Sequence, residues 1–215
     1  MLELLAPAGN LDAVIAAVQN GADAVYMGFG DGFNARRSAD NFTRESFAKA
    51  VRYCHIRGCK VYVTLNTLVG DREMDAAAAL AQQASDAGAD AILVQDLGLA
   101  RVLRAALPDI PLHASTQMSI HNLAGVEAAA EMGITRAVLA RELSLEQIRF
   151  ISQHASIETE VFVHGALCFC YSGQCYMSAL IGRRSGNRGA CAQPCRMQYS
   201  MGGRMDEYPL SLRDN

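Results

Sequence analysis

The sequence predicts a (β/α)8 barrel of the TIM type. The first observation is a repeat in which a short apolar run, a loop and an amphipathic helix follow one another along the chain. The second is a glycine before four of the apolar runs, at Gly21, Gly58, Gly88 and Gly133. Such a glycine can take the left-handed conformation that ends a helix before a buried strand. The repeat and its glycines together indicate strands that alternate with helices.

The third observation separates the barrel from an open doubly wound sheet. Ala6-Pro7-Ala8-Gly9-Asn10 follows the first apolar run, where a dinucleotide-binding sheet would carry Gly-x-Gly-x-x-Gly. Seven or eight strands separated by helices pair in parallel through right-handed crossovers. That number of strands in 215 residues favours a closed barrel.

Each element is assigned from its apolar run or its helical periodicity. Strands are expected at 2–6, 23–28, 60–65, 90–94, 110–114, 136–140 and 158–163, with 209–213 as the candidate eighth strand. Helices are expected at 11–20, 43–57, 73–87, 97–106, 122–132 and 144–153. Asn10, Thr43 and Ser144 stand at or near three of the helix starts, where their side chains can cap the first turn.

The barrel and a cysteine-rich segment are expected to form a single domain. Residues 1–167 would hold strands 1 to 7, residues 168–206 would be a Cys- and Arg-rich metal-binding insertion, and 207–215 would begin the last strand. No residues remain after the candidate eighth strand for a closing helix. We therefore expect the chain to be a truncated piece of a longer protein.

Composition is typical of an intracellular enzyme. Hydrophobic residues make up 51% of the chain, enough to bury one sizeable core, and the net charge is -3. The amino terminus shows no basic region followed by an apolar run, and no stretch approaches a membrane span of roughly 20 residues. Seven cysteines, an odd number gathered near one end, are better explained by metal binding in a reducing compartment than by disulfides. We expect a cytoplasmic protein that does not contact a membrane.

Four cysteines have the spacing of a metal site. Cys168, Cys175, Cys191 and Cys195 read C-x6-C-x15-C-x3-C, and Cys170 lies among them. Thiolates held close together repel unless a cation lies between them, and soft sulfur ligands suit zinc or an iron-sulfur cluster. Zinc sites usually use two short C-x2-4-C pairs, and only the last pair here is that short. The wider spacings favour a 4Fe-4S cluster, with zinc as the alternative.

Charge is unevenly distributed around these cysteines. Residues 161–205 contain five arginines and no Asp, Glu or Lys. The arginines would stabilise the net negative charge of a thiolate-ligated metal. They could equally bind phosphate or carboxylate groups, because guanidinium contacts both in a bidentate manner. The sequence leaves both interpretations open, and the same side chains could serve both.

Polar residues after the predicted strands form a candidate site at one face of the barrel, since the strands of such a barrel end together. Any one of them is more often a turn former or a helix cap than a catalytic group, so the set carries more information than its members. The set is Tyr26, Asn34, Arg36, Arg37, Asn66, Gln95, Asp96, Ser115, Gln117, Arg141, Glu142, His164 and Arg213. His164 ends the predicted seventh strand four residues before Cys168, so metal and pocket are expected to share one site.

A family resemblance covers essentially the entire chain. Residues 160–168 read Glu-Val-Phe-Val-His-Gly-Ala-Leu-Cys, and 171–178 read Tyr-Ser-Gly-Gln-Cys-Tyr-Met-Ser. The match extends over Asn-Arg-Gly-Ala-Cys-Ala-Gln-Pro-Cys-Arg at 187–196 and, upstream, over 4–9, 34–36, 66 and 139–144. These motifs resemble the amino-terminal part of peptidase family U32, called collagenase-like.

The resemblance implies two kinds of chemistry. The family is named for protease activity, whereas its better-defined members are oxygen-independent hydroxylases of ubiquinone precursors or of pyrimidines in rRNA and tRNA. The unbroken cysteine spacing is similar to that of the RNA group, which implies a 4Fe-4S cluster, an RNA substrate and prephenate as the hydroxyl donor. The implied ligands are Cys168, Cys175 and Cys191, with Cys195 as the candidate for the fourth.

Roles for the remaining candidates follow from their chemistry. Arg36, Arg141 and Arg184 are candidates for acid or phosphate binding, with Arg184 beside the cofactor. Asn66, Gln117 and Glu142 would orient the acceptor. His164 is a candidate catalytic group or a neighbour of the cluster ligands. Each of these side chains has a structural role as an equal alternative.

Two other functions stay open. No His-Glu-x-x-His motif surrounds any histidine, so a peptidase would need a thiolate beside a histidine, for which Cys170 or Cys168 with His164 is the nearby combination. A structural zinc domain that binds RNA or a protein partner without catalysis is the third possibility. The identity of the metal separates the zinc domain from the hydroxylase.

Overall fold

The computed structural model of the protein describes residues 2–30, 32–35, 41–165, 168, 170–208 and 210–211. Seven strands of the described residues form one parallel sheet in the order β1-β2-β3-β4-β5-β6-β7. The strands are β1 Leu5–Pro7, β2 Ala24–Met27, β3 Lys60–Leu65, β4 Ala91–Val94, β5 Leu112–Ala114, β6 Arg136–Val138 and β7 Glu158–Glu160. Each strand pairs with the next one in the sequence, which is the order of a TIM-type α/β barrel.

One helix follows each of the first six strands. The helices are α1 Leu11–Gln19, α2 Arg44–His55, α3 Met74–Asp86, α4 Leu97–Ala106, α5 Leu123–Glu131 and α6 Leu145–His154. The three expected caps are present, because the side chains of Asn10, Thr43 and Ser144 each accept a hydrogen bond from a backbone N–H of the first turn. Among the described residues, no helix combines the length and the apolar composition needed to cross a membrane.

The apolar core lies mainly between the sheet and the helices. One cluster contains Ile92 of β4 with Leu99 and Leu103 of α4, and a second contains Val25 of β2 with Phe47 of α2. All five side chains are fully buried. This outer core holds the strands in register, so the loops that follow them meet at one end of the sheet.

The fold class is confirmed, and the ends of some elements differ from expectation. The seventh strand ends at Glu160 and not at 163, and Val163 is 86% exposed. β7 has a partner only on its β6 side among the described residues, so the apolar run beyond Glu160 has no second strand to cover it. The candidate strand at 209–213 falls largely outside the described residues, and its pairing stays a prediction.

The cysteine-rich part contains elements that the sequence pattern did not reveal. A short helix, α7, covers Met177–Gly182, and β8 Tyr199–Met201 pairs antiparallel with β9 Arg204–Glu207. The two strands are joined at Gly202 and Gly203, both with positive φ, which is the geometry of a tight hairpin turn. The hairpin was missed because its strands are short and mostly polar.

Candidate active site

The segment before Cys175 is fixed to the carboxyl ends of the strands by Ser172. The Ser172 backbone N–H and hydroxyl both donate to Glu142 Oε1, at 2.6 and 3.0 Å. Its Oγ accepts from the backbone N–H and the Nε of Arg141, at 3.4 and 3.2 Å, and its carbonyl accepts from the Ser119 hydroxyl. Ser172 is fully buried, so these bonds replace water at every polar atom of the residue.

Gly173 allows this segment to pack directly on the loop after β5. It has φ +73°, and a Cβ at this position would lie 2.1 Å from the backbone oxygen of Gln117. Only glycine permits both the left-handed backbone and the close approach. Gln174 adds a hydrogen bond from its Nε2 to Ser119 Oγ at 3.1 Å. The loops after β5 and β6 therefore form the first attachment site of the cysteine-rich segment.

His121 lies beside this attachment site and was not among the predicted site residues. Its Nδ1 is 2.6 Å from the carbonyl oxygen of Ser119, and its Nε2 is 3.4 Å from Glu142 Oε2. A carbonyl only accepts, so Nδ1 donates in this contact. One Glu142 oxygen thus holds Ser172 while the other faces an imidazole. Among the described residues, Glu142 forms no ion pair with Arg141, and the basic side chain that faces it is His121.

The predicted metal ligands are all free cysteines on or near the surface. Cys168 and Cys191 are exposed, and Cys175 and Cys195 are partly buried. Burial raises the pKa of the Cys195 thiol, and the neighbouring Cys168 and Cys191 thiols raise it further. Four thiols close enough to affect one another electrostatically are a donor set suited to a soft cation. The chemistry of the residues fits the expected metal or cluster.

The thiols are close but not assembled around one point. Among the described residues, no three His, Cys, Asp or Glu side chains are near enough together to hold one metal ion. Metal coordination by Cys168, Cys175, Cys191 and Cys195 therefore stays a prediction. Burial also raises the pKa of Cys170, and the Cys175 and Cys168 thiols add to that effect.

Two arginines fix the far part of the cysteine-rich segment. Arg188 donates to Glu73 in a bidentate manner, at 2.8 and 2.6 Å, and to the Leu68 carbonyl at 3.1 Å. The hydrogen bonds from Arg188, followed by one from the Gly70 backbone, lower the pKa of Glu73 to about 2. Arg184 donates from Nε to the Ala190 carbonyl at 3.1 Å, one residue before Cys191. The loop after β3 is thus a second attachment site for the segment.

Several of the predicted polar residues do meet at the strand ends. Asn66 accepts from the backbone N–H of Ala35 at 2.9 Å and donates to Ser115 Oγ at 3.3 Å. Ser115 Oγ also accepts from the N–H of Gln117 at 3.4 Å. Gln95 donates to the Gln117 carbonyl at 3.5 Å, and its buried Oε1 has no hydrogen-bond partner among the described residues. This amide oxygen can accept from a bound molecule.

His164 is not placed as expected. The strand stops four residues earlier, and His164 is exposed in the stretch after β7. It therefore does not end the strand, and among the residues that the structure describes no strand lies on the open side of the stretch after Glu160. Arg36, Arg37 and Arg213 lie outside the described residues, so their predicted roles stay predictions.

A second polar network lies inside the barrel, on residues that sequence patterns did not single out. Arg136 of β6 donates to Glu3 at 2.5 Å and to Glu158 at 2.6 Å, and it lies 3.7 Å from Glu160. Burial alone would raise the pKa of Glu3, but hydrogen bonds from Arg136, Tyr62 and Lys60 lower it to about 2. Burial raises the pKa of Glu160 to about 7 against the attraction of Arg136. These charges bridge strands that are far apart in sequence.

A surface cleft of about 700 Å³ lies between α4 and the end of α5. Leu97, Arg101 and Glu131 are among its lining residues, and none of the predicted site residues is. The cleft is therefore separate from the candidate active site at the strand ends.

Comparison with known proteins gives the family. A model of peptidase family U32 matches residues 9–215. The chain belongs to peptidase family U32. Among U32 relatives, it is 44% identical to a 23S rRNA 5-hydroxycytidine synthase of Escherichia coli, over 100% of this chain and 33% of that protein. It is 41% identical to tRNA hydroxylation protein P1 of Bacillus subtilis, over 93% of this chain and 47% of that protein.

A third relative has a name of the other kind. The chain is 36% identical to a collagenase of Porphyromonas gingivalis, over 93% of this chain and 50% of that protein. The chain thus spans one third to one half of the length of these curated relatives. Names of both kinds are names of enzymes.

Solved structures show the same fold. A U32 peptidase structure superposes with a TM-score of 0.63 at 16% identity, over 75% of this chain and 68% of that one. A phosphoenolpyruvate phosphomutase of Streptomyces platensis gives 0.52 at 15% identity, over 75% and 67%. At these identities the likeness shows the fold alone.

Proposed function

We propose that this U32 chain is the cysteine-bearing part of an oxygen-independent hydroxylase that acts on pyrimidines of RNA. The observation that carries the proposal is the anchoring of the cysteine-rich segment, through Ser172 and Gly173, beside the polar strand-end residues. Cys175 follows Ser172 by three residues, so the thiols of this segment and the strand-end hydrogen-bonding groups would share one site. The two relatives named for rRNA and tRNA hydroxylation support RNA as the substrate.

Cys168, Cys175, Cys191 and Cys195 would hold a 4Fe-4S cluster. When bound, such a cluster supplies electron transfer or Lewis acidity that no protein side chain offers. The neighbouring thiols that raise the pKa of Cys195 are the groups that a cation would bring together. Arg184, bonded to the carbonyl beside Cys191, would offset the negative charge of the ligand set.

Arg141 would bind the carboxylate of the hydroxyl donor, for which prephenate is the candidate. Its Nε donates to Ser172, and its outer Nη groups have no partner among the described residues. A guanidinium with both Nη groups available binds carboxylate in a bidentate manner. Gln117, whose carbonyl contacts Gln95 and Gly173, would orient the pyrimidine together with Asn66. Glu142 holds the segment and does not need to touch the substrate.

The metal content of the purified protein tests the cluster. Anaerobic preparation is expected to yield about four irons and four sulfides per chain with a brown chromophore. Cys168→Ser, Cys175→Ser, Cys191→Ser and Cys195→Ser are each expected to lose most of the iron. Cys170→Ser is the matched control and is expected to keep it. Stoichiometric zinc in place of iron, or equal iron in all five variants, contradicts the cluster.

RNA modification in cells tests the activity. Cells that lack the gene are expected to lose one hydroxylated pyrimidine from rRNA or tRNA, measured by mass spectrometry of nucleosides. The wild-type gene is expected to restore it, and Arg141→Ala is expected not to. Exposed Arg149 on α6 supplies the matched control as Arg149→Ala. Full restoration by Arg141→Ala removes the assignment of that residue.

A peptidase is the alternative, because one relative is named a collagenase. A cysteine nucleophile needs a lowered thiol pKa, whereas burial and neighbouring thiols raise that of Cys170. Peptide hydrolysis by metal-free protein that disappears in Cys170→Ala would establish this alternative. Equal hydrolysis by both proteins, or none, would remove it.

A further inference from the structure

An exposed aromatic ring stands on the most firmly held part of the cysteine-rich segment. Tyr171 is 64% exposed, although the next residue, Ser172, is fully buried. The Tyr171 ring lies 5.8 Å from the ring of His121, centroid to centroid, at an angle of 58°. An aromatic side chain on a fixed backbone loses little conformational entropy when a flat ligand stacks on it. Tyr171 is therefore preorganised for stacking.

A second exposed surface follows it in sequence. Tyr176, just before α7, is 67% exposed, and Leu180, one helical turn later, is 81% exposed. Arg183 ends the helix and is exposed as well. Tyr171 and Tyr176 are five residues apart, so their Cα atoms are at most about 17 Å from one another.

The charge of this surface selects its partner. All five charged residues between positions 161 and 205 are arginines. Arg188 is already paired with Glu73, whereas no ion pair to Arg183 is found among the described residues, so this exposed guanidinium is available to an anionic partner. Exposed aromatic rings followed by arginines, in a stretch without acidic residues, have the composition of a surface that binds single-stranded nucleic acid.

We propose that Tyr171 stacks on an unpaired base of RNA, while Tyr176 and Arg183 contact the neighbouring base and phosphate. The inference rests on the proposed function and assigns the residues that would contact the RNA. Bases within an RNA duplex are stacked on both faces, so a side chain can stack only on a base that has left the helix. Stacking beside Cys175 would bring that base to the strand-end polar residues.

RNA binding measured apart from catalysis tests the inference. The probe is a fluorescent single-stranded RNA of about ten nucleotides containing cytidine and uridine, with its duplex as comparison. Wild-type protein is expected to prefer the single strand. Tyr171→Leu is expected to weaken binding about 5- to 100-fold, because an aromatic–base stack is lost, and Tyr171→Phe to retain it. Phe150→Leu, at an exposed aromatic on α6, is the matched control.

Arg183→Ala tests the phosphate contact by its salt dependence. It is expected to lower the slope of log affinity against log salt by about one relative to wild type, while Arg149→Ala on α6 leaves the slope unchanged. Hydrogen exchange at the Ser172 amide shows whether each variant keeps its anchored segment. If Tyr171→Leu disturbs the hydrogen bonds of Ser172, the RNA affinity of Tyr176→Leu provides an independent test of the surface.

The two proposals fail in different ways. Wild-type protein that binds no RNA overturns the RNA function and this surface with it. Wild-type protein that binds single-stranded RNA, with Tyr171→Leu, Tyr176→Leu and Arg183→Ala binding as tightly, overturns only the surface. Variants that bind RNA normally but lose association with another polypeptide assign the surface to protein contact and overturn the inference. Loss of binding in these variants, with Phe150→Leu and Arg149→Ala unchanged, supports it.

Discussion

The barrel, residues 5–160, and the cysteine-rich segment, residues 168–206, are held by different forces. The barrel has two large apolar clusters between sheet and helices, whereas Ser178 and Pro194 are among the few buried residues of the segment. The segment is attached by hydrogen bonds at Ser172 and an ion pair at Arg188. Apolar burial therefore stabilises the barrel, while the segment depends on a few polar contacts and, we propose, on metal.

The same comparison applies to the two polar networks. The Arg136 network lies inside the barrel, where only 9% of the arginine side chain is exposed, and the Glu142 network lies at the strand ends with 24% of its carboxylate side chain exposed. Charges in the first are shielded from solvent and strongly shift one another's pKa. Those in the second hold a segment that carries candidate ligands. Four changes to single residues separate these contributions.

Leu103→Ala is expected to have the largest effect on the barrel. Leu103 is fully buried in the cluster around β4 and α4, and such a truncation leaves a cavity that lowers the free energy of unfolding by about 2–5 kcal/mol. Urea denaturation followed by circular dichroism measures the loss. Valine at exposed Leu145 of α6 is the control, expected to change stability by less than about 0.5 kcal/mol. A similar loss in both variants would contradict the apolar origin of barrel stability.

Gly173→Ala is expected to detach the segment and leave the barrel folded. The new Cβ would clash with the Gln117 carbonyl, so the hydrogen bonds of Ser172 must open. We expect exchange of the Ser172 amide to accelerate by about 100-fold, with the urea midpoint of the barrel unchanged. Gly202→Ala is the matched control, because Gly202 also has positive φ but a Cβ there meets no atom within 4 Å. Equal acceleration in both variants would point to backbone strain alone.

Glu160→Gln is expected to change how stability depends on pH. Burial raises the pKa of Glu160 to about 7, so between its unfolded value of 4.5 and about pH 7 the folded state binds more protons than the unfolded state. Stability contributed by this group is therefore full below pH 4.5 and falls as the pH rises towards 7, by about 2–3 kcal/mol. Glu160→Gln has no carboxyl group to titrate and lacks this loss of stability. Its free energy of unfolding relative to that of wild type should therefore increase from pH 4.5 to about pH 7.

The measurement is urea denaturation of both proteins from pH 4.5 to 8. Burial also lowers the pKa of His113 to about 3, which makes stability rise with pH. Both proteins contain His113, so its contribution cancels when their free energies of unfolding are subtracted. Glu146→Gln, at an exposed carboxylate of α6, is the control. A difference between variant and wild type that stays constant with pH would show that Glu160 is not buried as a neutral acid.

Glu73→Gln is expected to have the smallest effect. The substitution removes the ion pair with Arg188, an exposed contact that solvent screens, so overall unfolding should hardly change. Protease cleavage near Arg183 and Arg184 should become modestly faster at neutral pH. The pair lowers the pKa of Glu73 to about 2, so in wild type the protection should persist down to about that pH. An unchanged rate of cleavage would show that the second attachment site, at Glu73, does not restrain the segment.

Most of the barrel could be predicted because its signals are local. Helix α4 was predicted at the residues it occupies, and α2 within two residues at each end, since apolar periodicity and the cap at Thr43 depend on neighbours in sequence. The end of β7 could not be predicted, because a strand continues only where a second strand bonds to it. The Cys spacing and the polar strand ends likewise pointed to one site without specifying its contacts.

The sequence by itself determined the parallel α/β fold, the family and the residue types of the candidate site, because periodicity, caps and motif spacing are properties of neighbouring residues. Only the tertiary structure decided that Glu142 holds Ser172, that His121 faces the same carboxylate, and that Arg136 reaches Glu3 across 133 positions. Contacts between residues far apart in the chain depend on how the strands are arranged in space. No local pattern carries that information, because each partner is chosen by distance and desolvation in the folded protein.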